Sequence, residues 1–189
     1  MTTNAFPRIG VLFVCTGNQC RSPIAAALLR ARLDERGSPL TVESSGFMSE
    51  GVPPPREALE TMWAVGVDLS GHRSRPLSPT TIGAADLIVG MTRQHVVEVT
   101  VMAPPEWERA FTFADLLRRA ETVGPRQRIE AVREWVRRLH AGRLRSSLTG
   151  LPLSEDVSDP MGGRPKDYQR TREQLVGMTT RLAELLSPA

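Results

Sequence analysis

The chain has 189 residues, 24% of them charged and 40% hydrophobic, with a formal net charge of only +3. That is the composition of an ordinary globular protein able to build its own core, and the charge calls for neither nucleic acid nor a membrane surface as partner. Two cysteines, Cys15 and Cys20, are too few for a disulfide scaffold and lack the further ligands of a zinc cluster. The apolar run Ile9 to Val14 is too short for a signal peptide or a membrane span. A cytoplasmic protein is therefore expected, with no export and no membrane insertion.

Ile9 to Val14 is continuous, apolar and rich in β-branched residues, which predicts a strand buried on both faces of a parallel sheet. A polar, glycine-containing turn follows, from Cys15 to Ser22. Pro23 suits a first helical turn, because its missing N–H would have had no partner there. Ala27, Ile24, Leu28 and Ala31 then recur at helical spacing, and Gly37 closes that helix. A short strand is predicted at Leu40 to Glu43 and a helix at Arg56 to Val65, stopped by Gly66. Ala85 to Met91 reads as a third buried strand, with Thr92 as cap of the next helix. Ala110 to Phe113 is the fourth strand, and a helix over Asp167 to Leu186 buries Leu175, Met178, Leu182 and Leu185. Alternating strand and helix predicts a parallel α/β sheet.

The stretch from 116 to 150 stands apart. Leu116 to Thr149 holds nine arginines against three glutamates, and Ile129, Val132, Val136 and Leu139 predict an amphipathic helix. Its arginines read either as a recognition surface for an acidic or phosphorylated partner or, preferably, as a solvated helix face.

Chemistry concentrates in Cys15-Thr16-Gly17-Asn18-Gln19-Cys20-Arg21-Ser22-Pro23. A loop between a buried strand and a helix N-terminus turns backbone N–H groups and the helix dipole toward one point, which makes an anion site and favours a thiolate. Cys15 is the expected nucleophile, and Arg21 offers a planar fork of donors matching two phosphate oxygens. Gly17 removes a Cβ where backbone must approach a phosphate, and Asn18 tolerates a left-handed backbone. Ser22 can donate to the sulfur. The competing reading of Cys15 is an inert core thiol at a strand end. Thiolate attack also needs a proton for the leaving atom, from an acid elsewhere. Asp159, in the loop Val157-Ser158-Asp159-Pro160-Met161-Gly162-Gly163, is the candidate, with Glu155 and Asp156 as competitors.

The Cys15 to Pro23 loop, the stretch Asp68-Leu69-Ser70-Gly71-His72-Arg73-Ser74, and the Val157 to Gly163 loop with Tyr168 beyond it resemble the low-molecular-weight protein tyrosine phosphatases. The resemblance covers Ile9 to about Thr92 and Val157 to the C-terminus. It implies a flavodoxin-like α/β fold, with helices on both faces of a four-stranded parallel sheet. It implies a phosphocysteine intermediate, a phosphorylated protein as substrate, and no metal or other cofactor. Within it Cys15 matches the nucleophile, Arg21 the phosphate binder, and Asp159 the acid that later serves as base for water. Thr16, Gly17, Asn18, Gln19, Cys20 and Ser22 complete the phosphate loop, and Asn18, Ser44 and His72 match residues that brace it. Cys20 matches a second loop cysteine that can pair with the nucleophile under oxidation and protect it.

Two positions depart from the pattern. Met161 stands where an aromatic residue often follows Asp-Pro. Gln19 is neither the aliphatic residue usual in tyrosine phosphatases nor the threonine characteristic of the related arginine phosphatases. The resemblance thus implies a tyrosine phosphatase first, with an arginine phosphatase, a thiol-dependent arsenate reductase and a phosphate-sensing binding module as further readings.

Overall fold

The computed structural model describes residues 8–146 and 155–188. Four strands, β1 (Ile9–Cys15), β2 (Val42–Gly46), β3 (Ala85–Gly90) and β4 (Ala110–Thr112), form one sheet in the order β2-β1-β3-β4, with every pair parallel. Strand alternation divides the core. Val11 and Phe13 of β1 join Leu87 and Val89 of β3 on one face, while Leu12, Val14 and Ile88 point to the other. Each such buried side chain contributes about 1.5–3 kcal/mol relative to exposure.

The first face is covered by α1 (Arg21–Glu35), α2 (Arg56–Trp63), α5 (Phe113–Val123), α6 (Val132–His140) and α7 (Pro165–Leu186). The second carries the short α3 (Pro79–Ala84), α4 (Arg93–Met102) and a 3₁₀ turn, Pro104–Arg109. The chain leaves β1 toward one face and β3 toward the other. A crevice therefore opens at the carboxyl ends of these neighbouring strands, where ligands bind in open α/β sheets.

Local chemistry sets the boundaries. Helix α1 begins at Arg21, two residues before Pro23, and Arg21 through Leu29 are all buried. Its chain turns out at Gly37 (φ 62°), and α2 is likewise closed by Gly66 (φ 75°). Thr92 caps α4, its hydroxyl accepting from the His95 N–H, a contact worth about 1 kcal/mol. Helix α7 buries Leu175 and Leu182 completely, with Met178 and Leu185 packed at the margin.

Three expectations need correction. Strand β2 starts later and runs on to Gly46, because Ser44 and Ser45 are buried polar residues that broke the apolar pattern. The short helix α3 was not expected. In the 116–150 stretch Ile129 is 96% exposed and precedes α6, whose buried side is Val132, Trp135, Val136 and Leu139. The reason is local: Gly124 ends α5 at φ 87°, and α6 starts only after Ala131, whose N–H reaches Glu134. Residues 147–150 of that stretch lie outside the described residues.

Several of the arginines there are bound internally rather than solvated. Arg143 is buried, donates to the carbonyls of Trp107 and Ala110, and lies 4.0 Å over the Phe111 ring. Burial pushes its guanidinium down to about 10, so it stays charged at neutral pH. Arg126 holds the Leu186 and Glu130 carbonyls, Arg138 pairs with Glu130, and Arg119 pairs with buried Asp115. Among the described residues no helix is long and apolar enough to cross a membrane.

Candidate active site

Cys15 ends β1, beside Gly46 of β2 in the sheet register, and the loop from Thr16 to Cys20 carries the chain into α1. Gly46 has no substitute: a Cβ there would lie 2.7–2.8 Å from backbone atoms of Cys15, Thr16 and Asn18. The loop presses directly on this glycine, and the Phe47 N–H donates to the Thr16 carbonyl at 2.7 Å. Sequence reasoning missed Gly46. Its signal was a glycine closing a strand, which often marks close backbone approach.

Asn18 organises the loop. It is fully buried and is the one non-glycine residue with positive φ (51°) among those described. The Arg75 N–H can only donate, so it fixes Asn18 Oδ1 as the acceptor (2.8 Å). Nδ2 then donates both hydrogens, to Ser22 Oγ and Ser44 Oγ, each at 2.9 Å. Ser22 Oγ, filled on that side, keeps its own proton to give, with Cys15 Sγ 3.0 Å away and the Ser45 carbonyl a more distant acceptor at 3.4 Å. On the outer side the Asn18 carbonyl accepts from His72 Nε2 at 2.7 Å, which fixes the His72 tautomer. Burial lowers the His72 pKa, partly offset by this bond. Asn18, Ser22, Ser44 and His72, spread over 55 residues of sequence, thus meet in one network.

Arg21, buried at the first position of α1, is held on three sides. It donates to the Val157 carbonyl (3.3 Å), to Thr16 Oγ1 (3.4 Å) and to Asp159 Oδ2 (2.5 Å). Asp159 is the carboxylate that reaches the loop. Its side chain is 43% exposed, and its other oxygen accepts from the Met161 N–H. The two competing acids are engaged elsewhere. Asp156 accepts from the N–H of Arg93 at the start of α4, and Glu155 faces Arg118. The Val157 N–H bonds the Met91 carbonyl at the end of β3, which ties the Asp159 loop to the sheet.

Cys15, Arg21 and Asp159 line a cleft of about 220 Å³ together with Thr16, Gly17, Gln19, Cys20, Met48 and Met161. Cys20 is buried, and burial, helped by Cys15 and Asp159, pushes its thiol far up, so it remains protonated. The atoms nearest a Cβ on Gly17 would be those of the Gln19 side chain. Met48 and Met161 are about half exposed at the mouth, and the Tyr168 ring lies buried behind Met161 with its hydroxyl toward the sulfur. Met48 and His95 were missed by sequence reasoning. Met48 carried no signal, and His95 lay hidden three residues beyond a cap. Among the described residues no three His, Cys, Asp or Glu side chains converge as a metal site.

The arrangement sets a thiol, a guanidinium and a carboxyl group around one cleft. Residues 10–124 match the low molecular weight phosphotyrosine protein phosphatase family, and the chain belongs to it. It is 29% identical to a protein-arginine-phosphatase of Bacillus subtilis, over 93% of this chain and 95% of that one. It is 34% identical to the low molecular weight protein-tyrosine-phosphatase Etp of Escherichia coli, over 68% of this chain and 93% of the other. Among solved structures it resembles a low molecular weight protein tyrosine phosphatase from T. tengcongensis, with TM-score 0.71 and 30% identity over 94% and 99% of the two chains.

Proposed function

We propose that this chain removes phosphoryl groups from protein side chains through a phosphocysteine on Cys15. The observation that supports it best is the union, around one cleft, of Cys15 with a hydroxyl on its sulfur and Arg21 with Asp159 on its guanidinium. Cys15 attacks phosphorus, and the S–P bond forms as the bond to the leaving atom breaks. Asp159, protonated, gives that atom its proton. Arg21 binds the equatorial oxygens as their charge grows. Water then attacks phosphorus, Asp159 takes its proton, and the sulfur departs as thiolate beside the Ser22 hydroxyl. Inorganic phosphate leaves, and the residues return to their starting state.

Phosphotyrosine and phosphoarginine both fit this chemistry, and the mouth favours phosphoarginine. Among the described residues no aromatic ring lines the cleft to hold a phenyl group, whereas Asp159 and the Gln19 amide can accept from a guanidinium. Likeness to an arginine phosphatase over 93% of this chain supports the same reading. Arsenate reduction through a relay of cysteines is disfavoured, since no cysteine follows Cys20. The test is phosphate release from phosphoarginine and phosphotyrosine peptides side by side, with Cys15→Ser as blank. Faster release from phosphoarginine is expected, and a clear preference for phosphotyrosine reverses the substrate assignment. Release by Cys15→Ser at the wild-type rate rejects Cys15 as nucleophile.

A further inference from the structure

His95 sits one turn into α4, outside the loop, and is buried. Its ring is engaged at both nitrogens. Nδ1 lies 3.0 Å from Thr92 Oγ1 and 3.1 Å from the Thr92 backbone nitrogen. That N–H can only donate, so Nδ1 carries no hydrogen and the neutral ring bears its proton on Nε2. Nε2 is 3.0 Å from Thr16 Oγ1, and it is therefore the donor. Burial, with the nearby charge of Arg21, drives the His95 pKa down to about 4, which agrees with a neutral ring. Phe47 stacks on the imidazole, with centroids 5.9 Å apart and planes 14° from parallel.

Thr16 Oγ1 receives a second donor, Arg21 Nη2, at 3.4 Å. A hydroxyl has two lone pairs and one proton. With both lone pairs engaged, only the proton is left to give. Thr16 is exposed and lines the same cleft as Cys15 and Arg21, so that proton is available to an anion there.

We propose that His95 is a positioning residue of this site: it fixes the Thr16 hydroxyl as a donor to the bound phosphoryl group and steadies the Arg21 guanidinium through the same oxygen. The role rests on the phosphatase reading above. It differs from simple capping of α4, which needs only an acceptor for the Thr92 N–H. The two duties separate by substitution. In His95→Asn the short amide can still accept from Thr92 but falls short of Thr16. In His95→Gln the amide places an acceptor and a donor about as far apart as the two ring nitrogens, so both contacts can be rebuilt.

The experiment measures the Kd of inorganic phosphate by calorimetry, and kcat and KM on an activated aryl phosphate. It compares the wild-type chain with His95→Asn, His95→Gln, Thr16→Val and the double variant His95→Asn/Thr16→Val. The loss of one positioned hydrogen bond predicts that His95→Asn raises the phosphate Kd and KM by about three- to tenfold. His95→Gln recovers to within about twofold of wild type. Thr16→Val matches His95→Asn, and the double variant is no worse than either, because both remove one linked unit. Wild-type Kd and KM in His95→Asn, or effects that multiply in the double variant, overturn the proposal. Should His95→Asn not fold, ¹⁵N NMR of the wild-type imidazole at neutral pH takes its place. A proton on Nε2, with a resonance that moves in Thr16→Val, upholds the proposal, and a proton on Nδ1 overturns it. A wild-type chain that neither turns over nor binds phosphate overturns the phosphatase reading itself, a result distinct from a working enzyme indifferent to His95.

Discussion

The Cys15 to Ser22 loop and the arginine-rich stretch 116–146 both bring polar side chains into the protein, and they use them in opposite ways. In the loop, Asn18, Ser44 and His72 satisfy one another and the backbone, while Cys15, with the Ser22 hydroxyl beside its sulfur, and Arg21 line a cleft. In the arginine stretch several guanidinium groups are taken up internally. Arg143 and Arg126 hold backbone carbonyls, and Arg119 and Arg138 hold carboxylates. Density of charge along a sequence therefore says little about binding. What matters is which donors remain after the protein's own acceptors are satisfied.

Substitutions on the two sides sharpen that contrast. Cys15→Ser has the largest expected effect: turnover disappears while phosphate binding and the melting temperature stay near wild type. Asp159→Ala follows, with kcat lower by roughly 10²–10⁴-fold. Asp156→Ala should leave kcat within a few-fold, since that carboxylate serves the start of α4. If Asp156→Ala stops catalysis and Asp159→Ala does not, the acid has been misassigned. On the other side, Arg143→Met strips the Ala110 and Trp107 carbonyls of their donor. It should cost about 3 kcal/mol in a denaturant titration, with little change in kcat/KM of the folded fraction. A catalytic defect at full stability would join the two regions functionally and break the comparison.

Acid should weaken the fold through the histidines. His72, His95 and His140 all have pKa values below the ordinary histidine value, His95 at about 4. The unfolded chain thus binds more protons than the folded one between about pH 4 and 6.5, so stability is complete above that window and is lost as pH falls through it. For His95 the loss is on the order of 3 kcal/mol, and His95→Gln should lack that part of the decline in melting temperature. The smallest effect belongs to Arg137→Ala, in the last turn of α6 on its solvent side. It should change stability by no more than about 0.5 kcal/mol and leave activity untouched.

The same contrast explains what the sequence made legible. The loop is contiguous, so strand, turn and helix start announce themselves within fifteen residues, and so do Cys15, Asn18, Arg21 and Ser22. Asp159 lies 138 residues from Arg21 and was found only through the turn chemistry and the family likeness of its own loop. β2 was ended too early because Ser44 and Ser45 are polar, yet they are buried to serve Asn18 and Ser22. Gly46 and His95 act through close approach and through one bond across the crevice, and neither leaves a periodic trace. Arginine partners are the hardest to read, since a backbone carbonyl carries no residue identity.

The most direct measurement is a rapid acid quench of Asp159→Ala during turnover, followed by mass spectrometry of the fragments. With water activation impaired, one added phosphoryl group is expected on the fragment carrying Cys15, and it should be absent in Cys15→Ser. Continued phosphate release with no phosphorylated cysteine, or with the group on another residue, would contradict the account.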